Sequence, residues 1–412
     1  MEYGCIGEVL GHSFSKEIHN ALASYNYELC EVARDRLEEF CTKKNFKAIN
    51  VTIPYKEEVI PYLYEIDEHA RLIGAVNTVV NRDGRLYGYN TDFYGMSRLL
   101  EHVGIDPKGK KAVILGSGGT SKTAYAVLTA LGAREILRVS RTKREDAIDY
   151  EELYERHTDA EIVINTTPVG MYPRGDALSL DISRFPGLTG VIDAIYNPLR
   201  TRLILDAKER GIAAEGGLYM LVAQAVRASE IFLDTVYPDD ACDRIYEKIL
   251  RDKENIVLVG MPSSGKSTVG ATLAALLGRE LLDTDALIVE DDGRCIPEIF
   301  ATDGEAAFRN LESRIVNNCS QKSSIILATG GGVVLKEDNV RALRRNGRIY
   351  FIDRPLSLLI PTSDRPLSST VEAVTERYKE RYPIYLERSD LRVDGAGTPE
   401  DVAQRIKEDF IK

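Results

Sequence analysis

Short apolar runs alternate along nearly the whole chain with longer stretches in which apolar residues recur at helical spacing. Runs too short for a helix and bounded by glycine or polar residues read as buried strands, so the alternation predicts α/β architecture with largely parallel sheets. Two runs lead directly into glycine-rich turns. In KKAVILGSGGTSKTAYAVLTALG, AVIL predicts a strand and Thr123 to Leu131 a helix; NIVLVGMPSSGKSTVGATLAALLG repeats the grammar downstream. Between them, YPDDACDRIYEKILRDKEN is polar, carries a Pro-Asp-Asp helix start, and reads as a short charged helix leading into a fresh strand.

The chain has 412 residues, which implies two or three domains. Its 44% hydrophobic and 28% charged residues are those of a globular protein folded throughout. A net charge of −11 argues against non-specific nucleic-acid or anionic-membrane binding, so phosphate sites must be local basic features. Six cysteines without a C-x-x-C pair suggest neither a zinc site nor a disulfide framework. The opening MEYGCIGEVL lacks a basic segment followed by a long apolar run, and no later stretch has the length of a membrane span, so the expected location is the cytoplasm.

Gly260-Met-Pro-Ser263-Ser264-Gly265-Lys266-Ser267 is a complete phosphate-loop pattern with a strand before it and a helix after it. Backbone N–H groups of Ser263 to Thr268 can surround nucleotide phosphates, Lys266 can offset their charge, and Ser267 can ligate magnesium. Leu281-Leu-Asp283-Thr-Asp285 reads as a strand end with both acids on one face, one for the metal and one for a substrate hydroxyl. Gly304 to Glu312 predicts a helix presenting Arg309, and Ala328-Thr-Gly330-Gly331-Gly332 a turn that admits a ligand against bare backbone. With Asp364-Arg365-Pro366-Leu367 and Glu380-Arg381-Tyr-Pro-Ile-Tyr385, these motifs resemble shikimate kinase from about Asn255 onward. The resemblance implies ATP and Mg2+, with Ser267 and Asp283 on the metal. It implies that Asp285 holds the ring hydroxyls, that Arg309 and Arg381 grip the carboxylate beside Gly331, and that Arg365 lies in a lid over ATP. Arginine's planar fork suits a carboxylate better than lysine's point charge.

The first glycine unit, Gly116-Ser117-Gly118-Gly119-Thr120-Ser121, is a partial dinucleotide fingerprint with Ser121 at the place of a third glycine. After the next strand, Ser140-Arg141-Thr142-Lys143-Arg144 offers cations where an NAD site has an acid, which suits the 2′-phosphate of NADP. His12-Ser13-Phe-Ser15, Asn50-Val-Thr52-Ile-Pro54-Tyr-Lys56, Gly74-Ala-Val-Asn77-Thr78 and Gly88-Tyr-Asn90-Thr91-Asp92 resemble shikimate dehydrogenase. The likeness continues through Asn165 to Met171, Asp193-Ala194-Ile-Tyr196-Asn-Pro198 and Gly216-Gly217 to Gln224. It implies that Ser13 and Ser15 bind the substrate carboxylate, and that Thr52, Asn77, Tyr196 and Gln224 hold the carboxylate and hydroxyls. The resemblance further implies that Lys56 and Asp92 form the catalytic pair and that Ala194 and Gly217 join the NADP site. Lys16 stands where many relatives have proline, and His12 and His19 read as structural.

The expected architecture is an α/β substrate lobe at 1–100 and a Rossmann lobe at 101–237 whose last helices return to the substrate lobe. A linker at 238–253 then leads to a P-loop domain at 254–412 resembling nucleoside monophosphate kinases. The expected function is NADPH-dependent reduction of 3-dehydroshikimate followed by ATP-dependent phosphorylation of shikimate, with these small molecules as substrates, no nucleic-acid or membrane partner, and the oligomeric state left open by the sequence. An NAD-linked quinate or shikimate dehydrogenase and a metabolite-sensing regulator are the alternatives; intact Lys56, Asp92, Lys266 and Asp285 speak against the regulator.

Overall fold

The computed structural model describes residues 1–10, 14–360 and 370–412. Ser13 and Arg365, together with His12, lie outside the described residues. The chain divides into two compact units, Met1–Leu250 and Arg251–Lys412.

The first unit contains two sheets. Strands β1 (Tyr3–Gly7), β2 (Tyr27–Glu31), β3 (Ala48–Val51), β4 (Glu65–Ile66), β5 (Thr78–Arg82) and β6 (Arg85–Tyr89) form one, in the order β2-β1-β3-β5-β6-β4. β1, β2 and β3 run parallel, whereas β5 is antiparallel to both β3 and β6. The reversal between β5 and β6 is set by Asp83 and Gly84, both at positive φ, which is the Asp-Gly hairpin chemistry that matches the strand twist.

Strands β7 (Lys111–Leu115), β8 (Glu135–Val139), β9 (Ile162–Asn165), β10 (Gly190–Asp193) and β11 (Ala213–Glu215) form a parallel sheet in the order β11-β10-β9-β7-β8. β7, β9 and β10 are buried along their whole length, as central parallel strands covered on both faces must be. β7 is the first strand and lies between β8 and β9, so the chain leaves it in opposite directions and opens a crevice at the strand C-termini. The glycine loop after β7 sits at this crevice.

The first unit ends in the helix Leu218–Leu233 and most of the helix Ala241–Lys253. Within the segment expected to link the enzymes, Cys242 and Ile249 are buried in the first unit's core, with Ile245, Tyr246 and Leu250 packed against it.

In the second unit, β12 (Asn255–Val259), β13 (Glu280–Asp283), β14 (Ile325–Ala328), β15 (Gly347–Asp353) and β16 (Leu391–Asp394) make a parallel sheet ordered β13-β14-β12-β15-β16. Its central strand β12 is fully buried and delivers the phosphate loop at its C-terminal end. The α/β fold with parallel sheets agrees with the sequence pattern.

Candidate active sites

In the first unit, β3, the start of the helix Thr91–Val103, and the helix Leu218–Leu233 wall a pocket of about 160 Å³. Its lining includes Ser15, Thr52, Lys56, Asn77, Asp92, Tyr196 and Gln224, with Thr120, Ala194 and Gly217 on the dinucleotide-lobe side. Residues spread over most of this unit's sequence therefore converge on one cavity.

Lys56 Nζ lies 2.5 Å from Asp92 Oδ2, and both side chains are largely shielded from solvent. Asp92 is placed by its helix. Asn90 caps that helix by accepting from the Phe93 N–H, and Gly104 ends it in the left-handed region. Asn77 is fixed from one side: its Oδ1 accepts from the Thr91 N–H at 2.8 Å and from Thr78 Oγ1 at 3.1 Å. Gln224 donates to Leu221 O at 2.9 Å, and its Oε1 accepts from Thr91 Oγ1 at 3.3 Å. Amides oriented in this way present defined polar atoms to a ligand and resist reorganisation.

Cys5, Asn50, Val51, Met220 and Leu221 also line the pocket but carry no role in the sequence reading. Asn50 donates to Thr78 Oγ1 and accepts from Tyr27 Oη, which ties β3 to β5 and β2 behind the pocket. Cys5 is held as a thiol, burial pushing its pKa up to about 12. His19 is a core residue: it stacks on Tyr27 at 4.0 Å, and burial lowers its pKa to about 3.

At the dinucleotide crevice, Gly116 has φ +110° and lies so close to Thr166 that an added Cβ would stand 2.7 Å from its Oγ1. A Cβ on Gly217 would fall 2.2 Å from Ala194 O, so this junction admits only glycine. Gly118 caps the helix Gly119–Ala130 without a side chain, leaving first-turn N–H groups for a ligand, and Ser121 is buried inside that helix. Ser140 Oγ donates to Thr142 O, which shapes the basic turn. Its cations differ in what holds them. Lys143 is paired with Glu152 at 2.6 Å, whereas Arg144 reaches back to Ser117 Oγ at 3.4 Å.

In the second unit, positive φ at Gly260, Ser263 and Gly265 wraps the phosphate loop. Lys266 is buried, and its Nζ donates to Gly260 O at 3.0 Å and Met261 O at 2.9 Å, so the loop curls around its own cation. Thr268 lies one residue beyond Ser267 in the first turn of the helix Lys266–Leu277. Ser267 Oγ donates to Asp283 Oδ2 at 2.6 Å.

The expected pairing of Asp283 and Asp285 on one strand face is corrected. β13 ends at Asp283, whose Oδ1 accepts from the N–H groups of Asp285 and Ala286, and Asp285 stands in the first turn of the helix Thr284–Asp292. Aspartate is a strong helix cap, and this local bond ends the strand two residues early. Asp285 still faces the glycine turn: a Cβ on Gly330 would lie 2.6 Å from its Oδ1 and 3.0 Å from Glu312 Oε1. Arg309 bonds Glu312 at 2.8 Å and packs so tightly on Gly332 that a Cβ there would meet its guanidinium. Arg381 donates to Gly331 O at 3.1 Å, and Tyr385 Oη donates to the same oxygen. The sequence reading missed Glu312. It is almost fully buried, and burial raises its carboxyl pKa while Arg309 opposes the rise. Its i+3 spacing from Arg309 was the available signal.

A polar pocket at a dinucleotide crevice, followed by a phosphate loop facing convergent acids and arginines, defines an α/β oxidoreductase joined to a phosphotransferase. Residues 5–79 match the family described as "Shikimate dehydrogenase substrate binding domain", and residues 262–410 match "Shikimate kinase". A shikimate dehydrogenase (NADP(+)) of Clostridium perfringens is 37% identical over 265 residues, which cover 60% of this chain and 97% of the relative. One from Clostridium beijerinckii is 40% identical over 245 residues, covering 56% of this chain and 91% of the relative. A chorismate mutase/shikimate 5-dehydrogenase fusion protein from Clostridium acetobutylicum matches with a TM-score of 0.57 at 38% identity, over 60% of this chain and 96% of that one. The shikimate 5-dehydrogenase of Thermus thermophilus in complex with NADP(H) and shikimate gives 0.54 at 27%, over 60% and 99%. The chain belongs to the shikimate dehydrogenase family, and its second unit carries a shikimate kinase domain.

Proposed function

We propose that the chain is a bifunctional enzyme of the shikimate pathway, reducing 3-dehydroshikimate to shikimate with NADPH and phosphorylating shikimate with ATP. The carrying observation is the pocket that gathers Ser15, Thr52, Lys56, Asn77, Asp92, Tyr196 and Gln224 beside Thr120, Ala194 and Gly217. A cavity lined by hydroxyls, amides and one cation–anion pair suits a carboxylated polyol. Analogues lacking the hydroxyls leave its polar groups unpaired.

Bound NADPH supplies the hydride. Lys56 stands to give a proton to the carbonyl oxygen as it becomes an alkoxide, while Asp92 orients the ammonium and bonds a neighbouring hydroxyl. Ser13 and Ser15 take the carboxylate, and Thr52, Asn77, Tyr196 and Gln224 the rest of the ring. The N–H groups from Ser117 to Thr120 fit a pyrophosphate, and the turn from Ser140 to Arg144 fits the 2′-phosphate.

In the second unit, Ser263 to Thr268 hold the ATP phosphates and Lys266 leaves its loop carbonyls for them. Ser267 Oγ and Asp283 Oδ2, 2.6 Å apart, are hard oxygen donors that fit Mg2+. Held there, the ion would supply neutralisation of the phosphate charge. Asp285 holds the attacked hydroxyl, Arg309 and Arg381 the carboxylate beside Gly331, and Arg365 adds charge over the transferring group. This is positioning and electrostatics rather than covalent chemistry.

The test is one coupled assay with 3-dehydroshikimate, NADPH and ATP on three proteins. Wild type makes shikimate 3-phosphate. Lys56→Ala loses about 10²-fold or more in reduction but phosphorylates added shikimate normally. Lys266→Ala does the reverse. Full reduction by Lys56→Ala removes the assigned role, and a wild type that binds both substrates without turnover favours a sensor.

A further inference from the structure

Tyr219 immediately follows the Gly217-Leu218 junction and is almost completely buried, yet it does not line the substrate pocket. Its neighbours along the helix do: Gly217, Met220, Leu221 and Gln224 all face the cavity. Tyr219 points instead into a cluster made by two other helices. Its ring stacks on His102 with centroids 3.9 Å apart, and Tyr246 meets both rings edge-on at 5.2 and 5.5 Å. Its hydroxyl donates to Asp243 Oδ1 at 2.8 Å, and His102 Nδ1 lies 3.5 Å from the same oxygen.

These contacts join three helices. His102 is in the last turn of the helix Thr91–Val103, whose first turn carries Asp92. Asp243 and Tyr246 belong to the helix Ala241–Lys253. Two turns before His102, Gly95 allows an equally tight approach, since a Cβ there would stand 2.7 Å from Met220 O. The Asp92 helix and the Gln224 helix are thus pinned at two levels, at Gly95 and at the Tyr219 stack. At the head of the second helix, Gly217 has no room to shift toward Ala194 O. Packed contacts with no slack transmit small displacements. Burial raises the Tyr219 pKa, so its hydroxyl stays a donor.

We propose that Tyr219 is a positioning residue for the dehydrogenase pocket, with Asp243 of the last helix as its anchor. The helix preceding the kinase domain thereby fixes where Gly217, Met220, Leu221 and Gln224 meet the substrate. The proposal rests on the dehydrogenase reading of that pocket. It makes the segment from Ala241 to Leu250 a working part of the first enzyme.

The test uses full-length Tyr219→Phe, Asp243→Ala, which removes the accepting oxygen, and the double variant. Tyr219→Phe keeps the ring and its stacking, so it guards against simple misfolding. Both singles are expected to raise KM for 3-dehydroshikimate about threefold or more with a smaller change in kcat, a ground-state positioning loss. Amide exchange across 217–224 speeds up, and kinase constants stay at wild-type values. The double variant matches the worse single, because both act through one contact. Wild-type KM in the singles, wild-type exchange at 217–224, or an additive double each overturns the proposal. If the wild type reduces no dehydroshikimate, the pocket reading fails by itself. Exchange then decides the positioning claim, and unchanged protection sinks it.

Discussion

Ser267 Oγ donates to Asp283 Oδ2 at 2.6 Å while the other oxygen of Asp283 caps the helix Thr284–Asp292. One carboxylate thus ends β13, starts the next helix and faces the phosphate loop. The two duties can be separated by mutation. Asp283→Asn keeps a capping oxygen and should hold the melting temperature within a few degrees, yet lower ATP-dependent turnover about tenfold or more and raise the Mg2+ requirement. Asp283→Ala should lose the cap as well, at about 1 kcal/mol. Kinase titrations with Mg2+ and thermal melts check this; an unchanged Mg2+ dependence in Asp283→Asn counts against metal binding there.

The basic turn yields a ranking among its cations. Glu152 already engages Lys143, whereas Arg144 lies over the glycine loop at Ser117. Arg144→Ala should therefore lower the NADPH-over-NADH preference about tenfold, and Lys143→Ala clearly less, since only the first removes a charge poised for the 2′-phosphate. Ratios of kcat/KM for the two cofactors read this directly. A larger effect from Lys143→Ala would reverse the assignment.

Asp193 gives the first unit a pH-dependent stability. It is fully buried, and burial raises its pKa from 3.8 to about 6, against the pull of bonds from Thr201, Ile195 and Asn165. Between those values the folded protein binds the extra proton, so stability falls as pH rises from about 4 through 6, by on the order of 3 kcal/mol. Asp193→Asn keeps an acceptor for Ile195 N–H and Asn165 and carries no ionisable proton. Its melting temperature should vary less with pH in that window than wild type's. Equal slopes would show that Asp193 does not titrate as assigned.

Where the chain is cut should matter more than that it is cut. We expect residues 1–253 expressed alone to reduce dehydroshikimate and residues 254–412 to phosphorylate shikimate, the sites working independently. Cutting after Tyr237 instead removes Cys242 and Ile249 from the first unit's core. Two buried side chains of this kind are worth about 3 kcal/mol or more, roughly 6–12 °C for a unit of this size. Melts of the two fragments decide it, and equal stability would make the helix dispensable.

Local chemistry made much of this protein legible from its sequence. The buried runs AVIL and NIVLV, the glycine turns after them, the Pro-Asp-Asp helix start and the complete phosphate loop all encode their structure within a few residues. The motifs also named Lys56, Asp92, Lys266 and Asp285. The Asp-Gly turn between β5 and β6 was equally readable but unused. Tertiary structure decided what depends on residues distant in sequence. It brought Lys56 to Asp92, engaged Lys143 with Glu152, and set Tyr219 against Asp243. It also buried Glu312 between Arg309 and the glycine turn. Strand periodicity put Asp285 on the wrong element because alternation and helix capping compete for the same aspartate, and the cap prevailed. A sequence lists donors and acceptors with their local preferences; which of them meet is fixed only when the sheets and helices pack.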